Sequence, residues 1–489
     1  IYTAMFTIST AALPVAVSKL VAESIALGRH REASRIGSVA LSSFAAIGLL
    51  FSLAMIIFAD GFVSFAKNSA VRESVIVVAP TIFFMCIVSA IRGYYQGRSN
   101  MVPTAISQVI EALGKLFFGR GLAYYFMHKG YGLEIVVAGA IGGVTIGTVL
   151  STIYLVIVRC KDAKYDREEA ALQSEEEPKT PYSTILKKLL TLSLPITIGA
   201  SVLSLANLID TFVVLRRLQD GCLMTDIAAN HLYGVYGMES KLFNLPQTII
   251  VSIGISVIPG ISAALAVFEE KKARSLTESA FRLTSLLAFP CAVGLAVLSK
   301  PILSMLYYNK LADATEAAPL LIYLTPAVFL VAMVSVSNSV LQGSGKIWVP
   351  VVTVTVGGVI KLVTNYVLVG TPGINISGAP IGTCLCYGTI MILNLVYIRL
   401  KIVRFSPAKV FLKPLVASLV MGVFAWLIYS PLSAVFSGGF IQNSVAVLLT
   451  VGLSAVIYAL MLIVLKALPK EDVLMLPKGK KIAALLKLD

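Results

Sequence analysis

The chain has 489 residues, 57% of them hydrophobic and 13% charged, with a mean hydropathy of +0.87. Soluble domains carry about 25% charged residues, so this composition excludes an ordinary soluble enzyme. The net charge of +15 would suit nucleic acid, but its distribution follows a membrane rule and excludes that partner.

Apolar runs long enough to cross hydrocarbon as helices recur along the whole chain. They lie at about 1–27, 36–57, 73–96, 103–127, 134–158, 190–215, 228–263, 277–299, 317–342, 348–369, 375–399, 409–430 and 441–466. None shows the ten-residue alternation of an outer-membrane barrel. The fold class is therefore an all-α polytopic membrane protein with thirteen visible spans.

The connections alternate in charge. One set, from Arg29 to the Lys-rich tail after Lys466, holds 26 Lys/Arg; the other holds 7. The richer set is cytoplasmic. This puts Ile1 outside and Asp489 inside, so a first helix is expected to precede Ile1. The full protein would then have fourteen helices and both termini in the cytoplasm. Residues 160–189 read as a cytoplasmic linker, mixed in charge, ending in a short amphipathic surface helix over 183–190.

The linker divides two halves that repeat. QGRSNMVP (96–103) matches QGSGKIWVP (342–350), and Lys115-Leu116 matches Lys361-Leu362. AGAIGG (138–143) matches GAPIGT (378–383), and ALPVAVS (12–18) matches VIPGISA (257–263). Six helices separate equivalent positions, so the halves share one orientation about an axis along the membrane normal. The domains are then an N-lobe at 1–159, the linker at 160–189, a C-lobe at 190–399, and two extra helices with a basic tail at 400–489.

Charges at membrane depth are rare and face a bundle interior or a wet cavity. Lys19 and Glu23 lie one turn apart in the first span, as do Glu111 and Lys115 in 103–127. Glu239 and Lys241 share 228–263, Lys361 lies in 348–369, and Asp210 lies near the outer end of 190–215. Lys115, Lys241 and Lys361 fall close to the midplane. Each lysine sits on a stripe of small or polar residues; for Lys241 the stripe is Asn230, Gly234, Gly237 and Asn244. Such stripes suit either tight helix packing or the wall of a water-filled cavity. Acids and bases nearly balance, so interhelical salt bridges and an anion-binding cavity both stand at this point. Lysine suits a phosphate as a point charge. Arg92, near the inner interface, and Arg120, in the outer half, are weaker candidates for the same cavity, since snorkelling would also account for both. Glu239 and Lys241 are about 200° apart on a helix, so Lys241 is assigned to the cavity and Glu239 is expected to pair with another helix.

No Walker A motif, GxSxG elbow or nucleotide fingerprint is present. Three histidines and six scattered cysteines give no zinc pattern. A carrier without catalytic chemistry, and not an enzyme, is expected.

Two six-helix halves, two extra helices and SKLFNLP (240–246) resemble the multidrug/oligosaccharidyl-lipid/polysaccharide (MOP) exporter superfamily. ALPVAVSKLVAE (12–23), RGYYQGRSNMVPTAISQVIE (92–111) and NLIDTFVVLRRL (207–218) are similar to its polysaccharide-transporter branch. That branch includes stage V sporulation protein B and the MurJ-type lipid II flippases. The resemblance implies alternating access that moves an undecaprenyl-diphosphate-linked sugar from the inner to the outer leaflet. It implies a lipid-linked oligosaccharide and the bilayer as partners, with the chain acting as a monomer. Lys19 and Lys241 fall where MurJ-type members contact the diphosphate. The substrate-binding set is Lys19, Lys115, Lys241 and Lys361 with Glu23, Glu111 and Asn244; the coupling set is Asp210, Asn365 and Glu239. Asp210 matches the acid of the family's sodium site, whose Asn and Asp one turn apart correspond to Lys361 and Asn365. An ammonium paired with Asp210 would then take the place of Na+, with membrane potential as the other energy source. A cation-coupled drug exporter and a non-transporting scaffold are the competing readings, and three midplane lysines favour an anionic cargo.

Overall fold

The computed structural model describes residues 13–59, 72–171, 180–403, 405–436, 439–465 and 467. Among them the regular structure is entirely helical, without strands. Hydrocarbon offers the backbone no partner, so a spanning segment must satisfy its N–H and C=O groups within its own helix.

The helices are α1 (Leu13–Ala26), α2 (His30–Ile57), α3 (Arg72–Gly97), α4 (Val102–His128), α5 (Leu133–Ala171), α6 (Tyr182–Asp220) and α7 (Asp226–Ala266). There follow α8 (Glu270–Val297), α9 (Ser299–Leu306), α10 (Leu311–Gly343), α11 (Trp348–Val369), α12 (Gly378–Lys401), α13 (Pro407–Val435) and α14 (Phe440–Val464). The described parts of the expected spans fall on these helices, while residues 1–12 of the span expected at 1–27 and residue 466 of the last lie outside the described residues. Among the described residues nine helices are long and apolar enough to cross a membrane on that ground alone.

Three elements differ from expectation. The helix α5 continues to Ala171, so the first part of the expected linker is helical. Arg159 and Asp162 bind it to α3: the Arg159 guanidinium lies 4.0 Å over the Tyr94 ring, and the Tyr95 hydroxyl donates to Asp162 Oδ2 at 2.7 Å. The surface helix expected over 183–190 is the start of the continuous α6. The eight-residue α9 was not expected, because a stretch this short carries too few turns to show a period.

The chain packs as two units. One holds described residues within 1–204, 258–270 and 342–351; the other holds those within 205–257, 271–341 and 352–489. In the first unit Val17, Ala40, Phe44, Cys86, Val88, Leu155 and Leu189 are fully buried. Small residues set its helix spacings, as is usual where lipid tails are as apolar as the side chains. A Cβ on Gly93 would stand 2.8 Å from the Pro14 carbonyl, which brings α3 against α1. A Cβ on Gly114 of α4 would stand 2.5 Å from the Gly147 Cα of α5. In the second unit Val214, Leu218, Ala229, Leu303, Leu321 and Val369 are fully buried. Arg217 of α6 stacks 4.2 Å over the Tyr366 ring of α11 and donates Nε–H to the Tyr366 carbonyl at 2.9 Å.

Candidate functional site

The helix α7 has two faces of opposite character. On one, Lys241, Asn230, Gly234 and Asn244 are exposed. A Cβ added at Gly234 or Gly237 would meet nothing within 4 Å. This stripe is therefore an open surface and not a packing seam. Asn230 and Asn244 satisfy one amide N–H each on their own helix, donating to the Asp226 and Ser240 carbonyls at 2.8 and 2.9 Å. Among the described residues no carboxylate reaches Lys241. An ammonium on a polar open face at membrane depth requires water beside it, since lipid would exact a large desolvation cost. On the opposite face Glu239 is 0% exposed, and both its carboxyl oxygens lack a hydrogen-bond partner among the described residues. The two residues thus lie on opposite faces of α7. Val235, Leu242 and Phe243, one turn from Glu239 on its face, are packed among apolar side chains, and among the described residues no ion pair joins Glu239 to another helix.

In the first unit the charges are already engaged. Glu111 accepts from Arg92 at 2.9 Å through Oε2 and from Lys115 at 2.6 Å through Oε1. Arg92 also donates to the Ser107 hydroxyl at 2.9 Å and the Ser151 hydroxyl at 3.3 Å. Arg92 is 8% exposed, so it is a buried network residue and not a snorkelling one. The Lys115 stripe is a packing seam: Gly114 and Gly119 lie against Gly147, Gly143 and Ala140 of α5. Glu111 and Lys115 thus belong to an ion-pair network with Arg92. Lys19 and Glu23 pair at 3.6 Å. The Lys19 ammonium lies 3.2 Å from where a Cβ on Gly345 would stand. Gly345, at φ +78°, closes the turn between α10 and α11.

In the second unit Lys361 is 8% exposed and Asn365, one turn on, is 0% exposed. Their stripe is also packed, with Gly357 against Ile390 and Gly382 against the Asn365 side chain. The Asp210 side chain lies outside the described residues. A neutral polar knot sits nearby in sequence: Thr353 donates to Asn394 Oδ1 at 2.8 Å, and Asn394 Nδ2 donates to Ser337 and Asn338 at 3.0 and 2.8 Å. Its Asn338 and Thr353 are the repeat equivalents of Arg92 and Ser107. Sequence reasoning named Arg92 without its partners and passed over Ser107 and Ser151; the repeat register, which aligns Arg92 and Ser107 with Asn338 and Thr353, was the signal for the first two.

The α7 face is therefore an open surface that carries a cation among small and polar residues. It can take up an anionic group without first breaking an ion pair. Among the described residues no cluster of three His, Cys, Asp or Glu suits a metal.

The family profile described as lipid II flippase MurJ matches residues 30–450. Stage V sporulation protein B of Bacillus subtilis (strain 168) is 26% identical over 476 residues, covering 96% of this chain and 88% of that protein. The lipid II flippase MurJ of the same organism is 23% identical over 483 residues, covering 94% and 86%. An outward-facing multidrug-resistance MATE family transporter of the MOP superfamily shares the fold, with a TM-score of 0.64 at 16% identity over 82% of this chain and 84% of that one.

Proposed function

Because the chain belongs to the lipid II flippase MurJ family, a family of multi-pass membrane transporters, we propose that it moves a lipid-linked cell-wall precursor from the inner to the outer leaflet by alternating access. The cargo is lipid II or a related undecaprenyl-diphosphate-linked sugar, and Lys241 binds the diphosphate. The open face of α7 carries this reading: its ammonium is exposed on a polar stripe where Gly234 and Gly237 leave the space empty. Asn244 lies on the same exposed face. The connections rich in Lys and Arg face the cytoplasm in this reading. The chain acts alone in the bilayer, and membrane potential contributes to the driving force.

A drug exporter of the same fold is the second reading. Organic cations need an acid facing the cargo, whereas the exposed intramembrane charge on α7 is a cation.

The test is translocation of labelled lipid II by the purified chain in proteoliposomes. Lys241→Ala removes a charge-assisted contact of about 2 kcal/mol, so the initial rate falls roughly thirtyfold. Lys241→Arg keeps the charge and retains most of the rate. Wild-type rates in Lys241→Ala at equal reconstitution would sink the assignment.

A further inference from the structure

Glu239 has no role in diphosphate binding, yet its position is the most costly one for a carboxyl in the described structure. It is 0% exposed on α7, and among the described residues neither of its oxygens has a hydrogen-bond partner. Glu23 and Glu111, the other carboxylates of the spanning helices singled out above, each have a cation. Its own neighbours on the helix are Val235, Tyr236, Leu242 and Phe243. Phe243 packs with Ala292 of α8 and with Leu324, Ala327 and Val328 of α10.

The titratable groups of these clusters are Tyr233 and Tyr236 of α7, Cys291 of α8, Tyr307 after α9, and Cys384 and Tyr387 of α12. Among the described residues no cation stands within ion-pair distance of Glu239, and neither of its oxygens has a hydrogen-bond partner. Cys384 is close enough to interact electrostatically with Glu239, but its thiol donates to the Tyr323 carbonyl at 3.2 Å. Lys361 of α11 is buried in the same unit, and among the described residues no ion pair joins it to Glu239. Of α6, the Asp210 side chain lies outside the described residues.

An ionised carboxylate cannot remain in such a place, and an isolated one neutralises instead. The neutral acid still leaves its polar atoms unmet, which lowers stability. A methionine or leucine there would avoid both penalties. The residue therefore has to be accounted for by a second state, in which the carboxyl reaches water. The wet stripe of Gly237 and Lys241 runs along the other side of the same helix.

We infer that Glu239 is a proton-binding site. It holds H+ in the state described here and releases it to water, as Glu–COOH giving Glu–COO⁻ and H+, in another state of the transport cycle. Translocation then carries a proton. The link to cargo rests on the function proposed above; the proton site itself does not.

Two measurements test it on the full chain. Infrared difference spectra in nanodiscs should show a protonated-carboxyl C=O band that disappears in Glu239→Gln and persists, shifted, in Glu239→Asp. Spectra in which wild type and Glu239→Gln share the same carboxyl bands overturn the proton site. This measurement needs no cargo, so it decides the inference even if lipid II is not moved. In proteoliposomes with the membrane potential clamped at zero, a pH gradient should shift the leaflet ratio of labelled lipid II by up to about tenfold per pH unit. Glu239→Gln should lose that shift. Flipping that ignores the gradient in wild type overturns the coupling.

Discussion

Glu111 shows what a single residue does in a dry interior. It balances two cations, Arg92 at 2.9 Å and Lys115 at 2.6 Å, and they differ in what they lose with it. Arg92 has a side chain 10% exposed, whereas Lys115 is 39% exposed. Replacing Glu111 by Ala leaves a buried guanidinium uncompensated, at a cost of about 3–5 kcal/mol. Lys115→Ala leaves Glu111 still paired with Arg92 and costs about 1 kcal/mol or less. Thermal unfolding in detergent should rank the two variants in that order, and Lys115→Ala should still flip lipid II. A Lys115→Ala protein that folds as wild type but cannot translocate would return this lysine to the cargo surface. The Glu111–Lys115 pair was legible in the sequence, since the two stand one turn apart. Arg92 was not, because a cation near a helix end reads the same whether it snorkels or pairs, and its partner lies 19 residues away on another helix.

At the scale of the element, the same residue type marks opposite environments. Gly143 of α5 meets the Gly119 backbone of α4, and Gly147 lies 2.6 Å from the Glu111 carbonyl, counted from an added Cβ. Gly234 and Gly237 of α7 face empty space. Gly143→Ala should therefore lower the melting temperature, since it drives backbone apart at a cost of about 1–3 kcal/mol. Gly234→Ala should hold or raise it, because alanine favours a helix interior by up to about 1 kcal/mol over glycine. A melting temperature that falls equally in both variants would mean that the α7 stripe is packed after all. The sequence located these stripes by helical spacing but left packing seam and cavity wall unresolved. Spacing reports which residues share a face; only a neighbouring helix decides whether the face is covered. The helices themselves were legible throughout, because hydrocarbon length and apolarity fix them, whereas α9 and the extension of α5 answer to local contacts such as Arg159 on Tyr94.

At the scale of the whole molecule, the internal repeat was legible from Gln96 and Gln342 onward, and it places a polar knot at equivalent positions of the two halves. The N-terminal knot is charged, through Arg92 and Glu111; the C-terminal one is neutral, through Thr353 and Asn394. Glu111 has Gly357 as its repeat equivalent, so Lys361 lacks the i−4 acid that Lys115 has. This asymmetry bears on the driving ion. Lys361 and Asn365 are buried one turn apart on α11, where the family resemblance would place oxygen ligands for sodium. A second cation 4 Å from an ammonium meets a repulsion of about 4 kcal/mol at the effective dielectric of protein. Sodium binding there is disfavoured for as long as Lys361 is charged. Translocation in proteoliposomes should therefore proceed at the same rate when sodium is replaced by potassium at a fixed membrane potential. The potential itself should still act, since one net charge crossing 100 mV gains about 2.3 kcal/mol. In Lys361→Asn the ammonium is gone, and a stimulation by sodium is the expected gain. Sodium-dependent flipping in the wild-type protein would overturn the argument, and it would place the cation at oxygens other than those beside Lys361.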